Sequence, residues 1–287
     1  MNLSAWMHVA WDFEPSVIAG AAVLLGLYVR AGAALKREVP RSEFWLRAAA
    51  FLLGDTIMLF ALISPLDTLG DRYLFSAHMI QHLLLIEFAA PLLLLGLPAP
   101  WFRKLLRRWW AAALERRLRR PIVAWTIGFA VLALWHLPGP YDATVRIEAL
   151  HIVEHLSFLV SAVSFWWPVL TPLQSSRRPA LDSVFYLFSR MAANLVLGSL
   201  VAAAPLGFYT AYLHAPPAPL PLHLTHLADQ RLGGYLMWIP TLVVDMAALP
   251  LFLALWLSRG EEPRSPRYRA ETDRGAPAAA PSNSGSS

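Results

Sequence analysis

The feature that most constrains this chain is a succession of seven apolar runs, near residues 16–35, 44–63, 73–96, 121–137, 149–170, 182–204 and 233–257. A helix needs roughly 20 consecutive apolar residues to cross a hydrocarbon core. Only helices and closed barrels satisfy their own backbone polar groups there. Runs of this length predict an all-α integral membrane protein with seven transmembrane helices. Residues 1–15 are expected to form an outer tail, 16–258 the membrane domain, and 259–287, rich in Pro, Ala, Ser and charge, a disordered cytoplasmic tail. The segment before the first run carries Asp12 and Glu14 and no Lys or Arg, so that run reads as a retained helix and not a signal peptide.

Orientation follows from the loops. With the N-terminus outside and the C-terminus cytoplasmic, only Arg72, Arg146 and Arg231 of the 24 basic residues fall outside, and the rest obey the positive-inside rule. The sequence pI of about 9.8 therefore reports topology. The expected contact is with a lipid bilayer, and no nucleic-acid partner is implied. In the same orientation all nine histidines fall on the outer side, although none was used to derive it.

Two of the runs open on paired imidazoles. Ser76-Ala77-His78-Met79-Ile80-Gln81-His82 begins the third run, and His151-Ile152-Val153-Glu154-His155 begins the fifth. Positions i and i+4 lie on one helix face about 6 Å apart, so each pair is able to grip one ion. Both runs cross from outside to inside, which puts the four histidines at one depth and predicts that their helices lie side by side. His136 ends the fourth run at the same rim and supplies a fifth imidazole or supports the others. Met79 adjoins His78 but points about 100° away, so as a ligand it needs a different partner.

The chain has no cysteine, which excludes disulfides, thiolate metal sites and cysteine nucleophiles. A metal must then be held by His and Met. That donor set suits copper, and also admits zinc or haem iron. The outer loop from 204 to 232 contains five prolines and cannot be one regular helix. Phe208, Tyr209 and Tyr212 are expected there as interfacial anchors. The loop brings His223, His226, Asp229 and Gln230 to the rim of the seventh run, where the two histidines suit transient capture or hand-over of metal. Glu154 is a further supporting or transfer group, and Glu87, about 13 Å deeper than His78, reads as a proton carrier or a buried anchor. Asp55, Asn194 and Asp245 are the other polar groups inside the runs, each costly in lipid unless partnered.

These strings resemble a known family. Phe75 to His82 with Ala90-Pro91-Leu92-Leu93-Leu94-Leu95-Gly96, Trp135-His136, His151 to His155, Phe165-Trp166-Trp167-Pro168-Val169, and Asp229-Gln230 followed by Gly233-Gly234 and Met237-Trp238 look like the signature of CtaG-type cytochrome c oxidase assembly factors. The likeness spans the second to seventh runs. It implies a multi-pass protein of the bacterial plasma membrane, without enzymatic activity of its own. It also implies a role in assembling active haem-copper oxidase through copper supply, with oxidase subunits and an extracytoplasmic copper donor as partners. Other readings of the histidines are a haem-binding electron carrier, a membrane zinc hydrolase using Glu154 or Glu87 as base, and a general copper transport or resistance protein.

Overall fold

A computed structural model describes residues 6–7, 10–35, 39–173, 178–219 and 224–247. Every regular element among them is helical. In chain order they are α1 (Pro15–Leu35), α2 (Arg41–Ile63), α3 (Pro65–Arg72), α4 (Phe75–Gly96), α5 (Ala99–Leu105), α6 (Trp109–Leu118), α7 (Pro121–Trp135), α8 (Pro138–Arg146), α9 (Glu148–Leu170), α10 (Ala180–Ala203) and α11 (His226–Leu236). A further helical stretch covers 239–247.

Five of these helices, α1, α2, α4, α9 and α10, are long and apolar enough to cross a membrane. A sixth arises if α6 and α7 count together, but they are bent by 84° across Arg119 and Arg120. The expected fourth span is therefore shorter than its apolar run. Fifteen residues rise about 22 Å, and the helix stops at Trp135 because Pro138 follows and favours extended backbone before it. The seventh run is broken too, since the helix ends at Leu236 and resumes at residue 239. Its continuation past 247, the tail 259–287, His8 and His223 lie outside the described residues.

Helix α4 is the centre of the bundle, with 61% of its span buried against 17% for α1. It packs against α2, α3, α9 and α11. Its middle, Leu84–Ala89, is a π-helical turn. Pro91 explains it: proline has no N–H to return to Glu87, and the Ala90 amide bonds back to Leu85 instead. The Ile86 carbonyl, left without a helical donor, accepts the indole N–H of Trp166 at 3.1 Å. The extra residue rotates the lower half of α4 relative to the half that carries the histidines.

A second polar assembly ties three helices together deep in the bundle. Arg190 of α10 donates to Glu87 of α4 at 2.8 Å and to Asp245 at 2.6 Å, all three nearly fully buried. Phe165 and Trp166 face its guanidinium. Glu87 is thus an ion-paired anchor between helices.

The proline-rich loop after α10 also differs from expectation. Tyr209 and Tyr212 are buried, not facing lipid. Asp142 of α8 accepts the amides of Thr210 and Ala211, both at 3.0 Å, and holds this short helical turn inward. Tyr209 then donates to the His136 carbonyl at 2.9 Å and Tyr212 to that of Gly70 at 2.6 Å. With Phe75 and Tyr141 they form an aromatic cap over the N-terminal end of α4.

Candidate metal centre

The upper half of α4 presents a different partner in each direction. Gln81 donates to Asp67 of α3 at 2.7 Å and to the Ala61 carbonyl of α2 at 3.1 Å. Met79 turns toward α7, where its sulfur lies 3.4 Å from His136 Nε2. His78 and His82 turn toward α9 and meet His151, Glu154 and His155.

The five imidazoles form one cluster. Ring centroids are 4.4 Å apart for His78 and His82, 4.2 Å for His151 and His155, 5.2 Å for His78 and His151, 5.4 Å for His82 and His155, and 5.8 Å for His82 and His136. All five are buried. Glu154 is at the middle, with no exposed surface, its carboxylate 3.4 Å from His78 Nε2 and 3.7 Å from His82 Nε2. One donor atom each from His78, His82, Glu154 and His155 lies within 4.8 Å of all the others. Asp71, His78 and His151 make a second such group, with His151 Nε2 3.3 Å from Asp71 Oδ1. His78 belongs to both.

These atoms fit a cation by the test of hydrogen bonding. Both ring nitrogens of His78 and of His82, Nε2 of His151 and of His155, and both oxygens of Glu154 are buried with no hydrogen-bond partner. Each unpaired buried polar group costs about 1–3 kcal/mol. Together they would cost on the order of 10 kcal/mol, as much as the stability of a typical domain. A tetrahedral ion with bonds of ~2.0–2.1 Å holds its donors roughly 3.4 Å apart, so the two Glu154 contacts already have the needed spacing. The tautomer of His136 is set by its other nitrogen: Nδ1 donates to the Leu132 carbonyl at 2.7 Å, which leaves Nε2 as a lone pair aimed at Met79.

Outside the spans, burial pushes the Asp67 carboxyl up to about 7 and that of Asp71, with Asp67 beside it, up to about 8. Both sit on α3, whose start is capped by the Ser64 side chain accepting from the Leu66 amide.

The remaining site residues support the frame. Asp229 accepts the amides of Phe75 at 2.6 Å and Ser76 at 3.1 Å, with the Ser76 hydroxyl close beside, and so caps the N-terminus of α4. Gln230 donates to the carbonyls of Val201 and Ala204 at the end of α10. A Cβ on Gly233 would lie 2.2 Å from the Phe75 ring, and one on Gly234 2.7 Å from the Gly198 carbonyl, so the paired glycines let α11 touch α4 and α10. His226 and His214 are exposed. Sequence reasoning passed over Asp71, Arg190 and Tyr141. The first two had no signal, because their partners lie on other helices far along the chain.

Comparison with known proteins places the chain. The family described as cytochrome c oxidase caa3 assembly factor (Caa3_CtaG) matches residues 26–259. The chain belongs to that family. An uncharacterized protein of Mycobacterium bovis is 28% identical to this Caa3_CtaG chain over 260 residues, covering 83% of it and 38% of the mycobacterial protein. One from Mycobacterium leprae is 25% identical over 266 residues, covering 86% and 39%. The chain therefore spans about two-fifths of the length of these relatives. No solved structure matches it.

Proposed function

We propose that this protein binds copper at the histidine cluster and supplies it during assembly of haem-copper cytochrome c oxidase in the bacterial plasma membrane. The observation that carries the reading is the concentration of unpaired, buried imidazole nitrogens around Glu154 in a chain without cysteine. Nitrogen donors with a carboxylate suit a divalent ion, and the adjoining Met79 sulfur and His136 Nε2 suit a soft cuprous one. Copper is cargo here, held by His78, His82, His151, His155 and Glu154, with Met79 and His136 beside them. No catalytic step is assigned. In this reading the N-terminus is outside and the cluster lies at the outer face, where an extracytoplasmic donor would meet it and oxidase subunits would receive the metal.

Metal analysis of the purified full chain tests the reading. Wild type should carry copper, His78→Ala or His155→Ala should lose it, and His214→Ala should retain it. A deletion strain should make oxidase polypeptides with low activity that added copper partly restores. Purified protein without copper after reconstitution, or normal oxidase in a copper-limited deletion strain, would refute the proposal.

A further inference from the structure

The cluster is closed from above and open from the side. Tyr141, Tyr209, Tyr212 and Phe75 cover its outer end. Between α1, α2, α4 and α9, however, lies a cavity of about 310 Å³ that reaches His151 and His155. At ~30 Å³ per water it has room for a cation with part of its hydration shell. Its floor offers ligands: the Nε2 atoms of His151 and His155 are buried and unpaired, and these side chains are only 5% and 7% exposed. Asp12, Glu14, Asp67 and Glu148 also line it, and no lysine or arginine does among the described residues.

The structure assigns to this cavity the role of a side vestibule that admits metal cations, with Asp71 and His151 as the first binding post and His78 as the ligand shared with the buried site. The inference rests on the copper reading above and extends it to the route of loading. Asp12 and Glu148 are exposed at the rim. The rim is held in place, since the Asp12 amide donates to the Ile63 carbonyl at 3.1 Å and Thr68 donates to the Ala10 carbonyl at 2.8 Å. A wall of Leu24, Met58, Leu62, Leu85, Leu156 and Leu159 lines the passage. Carboxylates at the mouth of a low-dielectric cleft focus the field and raise the capture rate of a cation. His151 lines the floor, and Asp71, behind it and outside the lining, lies 3.3 Å from its Nε2 in one donor group with His78, so an ion passes inward by exchanging Asp71 and His151 for His82, Glu154 and His155.

The test is uptake of Cu(I), presented without oxygen as its cationic acetonitrile complex, by the full chain in detergent. Uptake is followed by tryptophan fluorescence in stopped flow, with copper content measured at equilibrium. Asp12→Asn with Glu148→Gln should slow uptake about tenfold at low ionic strength, abolish most of its salt dependence and leave final copper content unchanged. Asp12→Lys with Glu148→Lys should slow it further. Equal rates at equal final content would overturn the vestibule while leaving the copper reading intact. Loss of copper at equilibrium in the amide variant would also overturn it, by making these carboxylates part of the site and not of the route. A wild type that takes up neither Cu(I) nor Cu(II) overturns the copper reading, and this inference with it.

Discussion

Replacing Glu154 by Leu should make the metal-free protein more stable and should remove most of the further stabilisation that metal gives. The carboxylate has no exposed surface and no hydrogen-bond partner, and it faces imidazole nitrogens that are also unpaired. Removing its two oxygens for a side chain of similar volume relieves about 1–3 kcal/mol per unpaired group, so a net gain of about 2–4 kcal/mol is expected without metal. For a membrane domain of this size that is a rise in melting temperature of roughly 5–10 °C. Metal offsets that advantage. Free copper at a thousandfold its Kd stabilises wild type by about 4 kcal/mol, and Glu154→Leu, lacking the central ligand, gains little. Thermal unfolding in detergent, with and without Cu(II), measures both arms. If the metal-free variant melts at or below wild type, the cluster is not frustrated when empty. If copper stabilises both proteins equally, Glu154 is not a ligand. Either result would refute the reasoning.

Asp229→Ala removes the acceptor for the Phe75 and Ser76 amides and should cost about 1–2 kcal/mol, with lower copper content because His78 lies one turn further on; Asp229→Asn should be milder. Gly233→Val places a branched carbon inside the Phe75 ring and should prevent accumulation in membranes, measured by immunoblot of the membrane fraction. Arg190→Leu strands Glu87 and Asp245 and should destabilise by about 3–5 kcal/mol, whereas apolar replacement of all three should recover most of that loss, as read by melting temperature. Burial raises Asp67 to about 7, so the folded state holds a proton that the unfolded chain releases near pH 4. Its contribution is complete below pH 4 and is lost as pH rises through 7. Melting temperature of the metal-free protein should therefore fall between pH 4 and 7, by no more than about 1.4 kcal/mol per pH unit for this proton, and Asp67→Asn should make the fall less steep, Asp71 supplying the rest.

What was legible in the sequence is what one helix decides alone. Apolar length selects helices for lipid, and the i, i+4 spacing of His78 with His82 and of His151 with His155 sets each pair on one face before any partner is known. The motif strings also carried the family. Spacing could not decide which residues share a centre, because that depends on the rotation and approach of separate helices. Glu154 stands about 100° from its neighbour His155 on the helix wheel, yet the packing of α9 on α4 turns it into the middle of the imidazoles. Asp71 joins them only because Gln81 and Tyr212 fasten α3 beside α4. Asp229 caps a helix 154 residues earlier, and Arg190 neutralises carboxylates 103 and 55 residues away. Buried polar groups in lipid must find partners wherever packing brings them, so their pairing is decided by tertiary structure, while the local pattern determines only that they are buried.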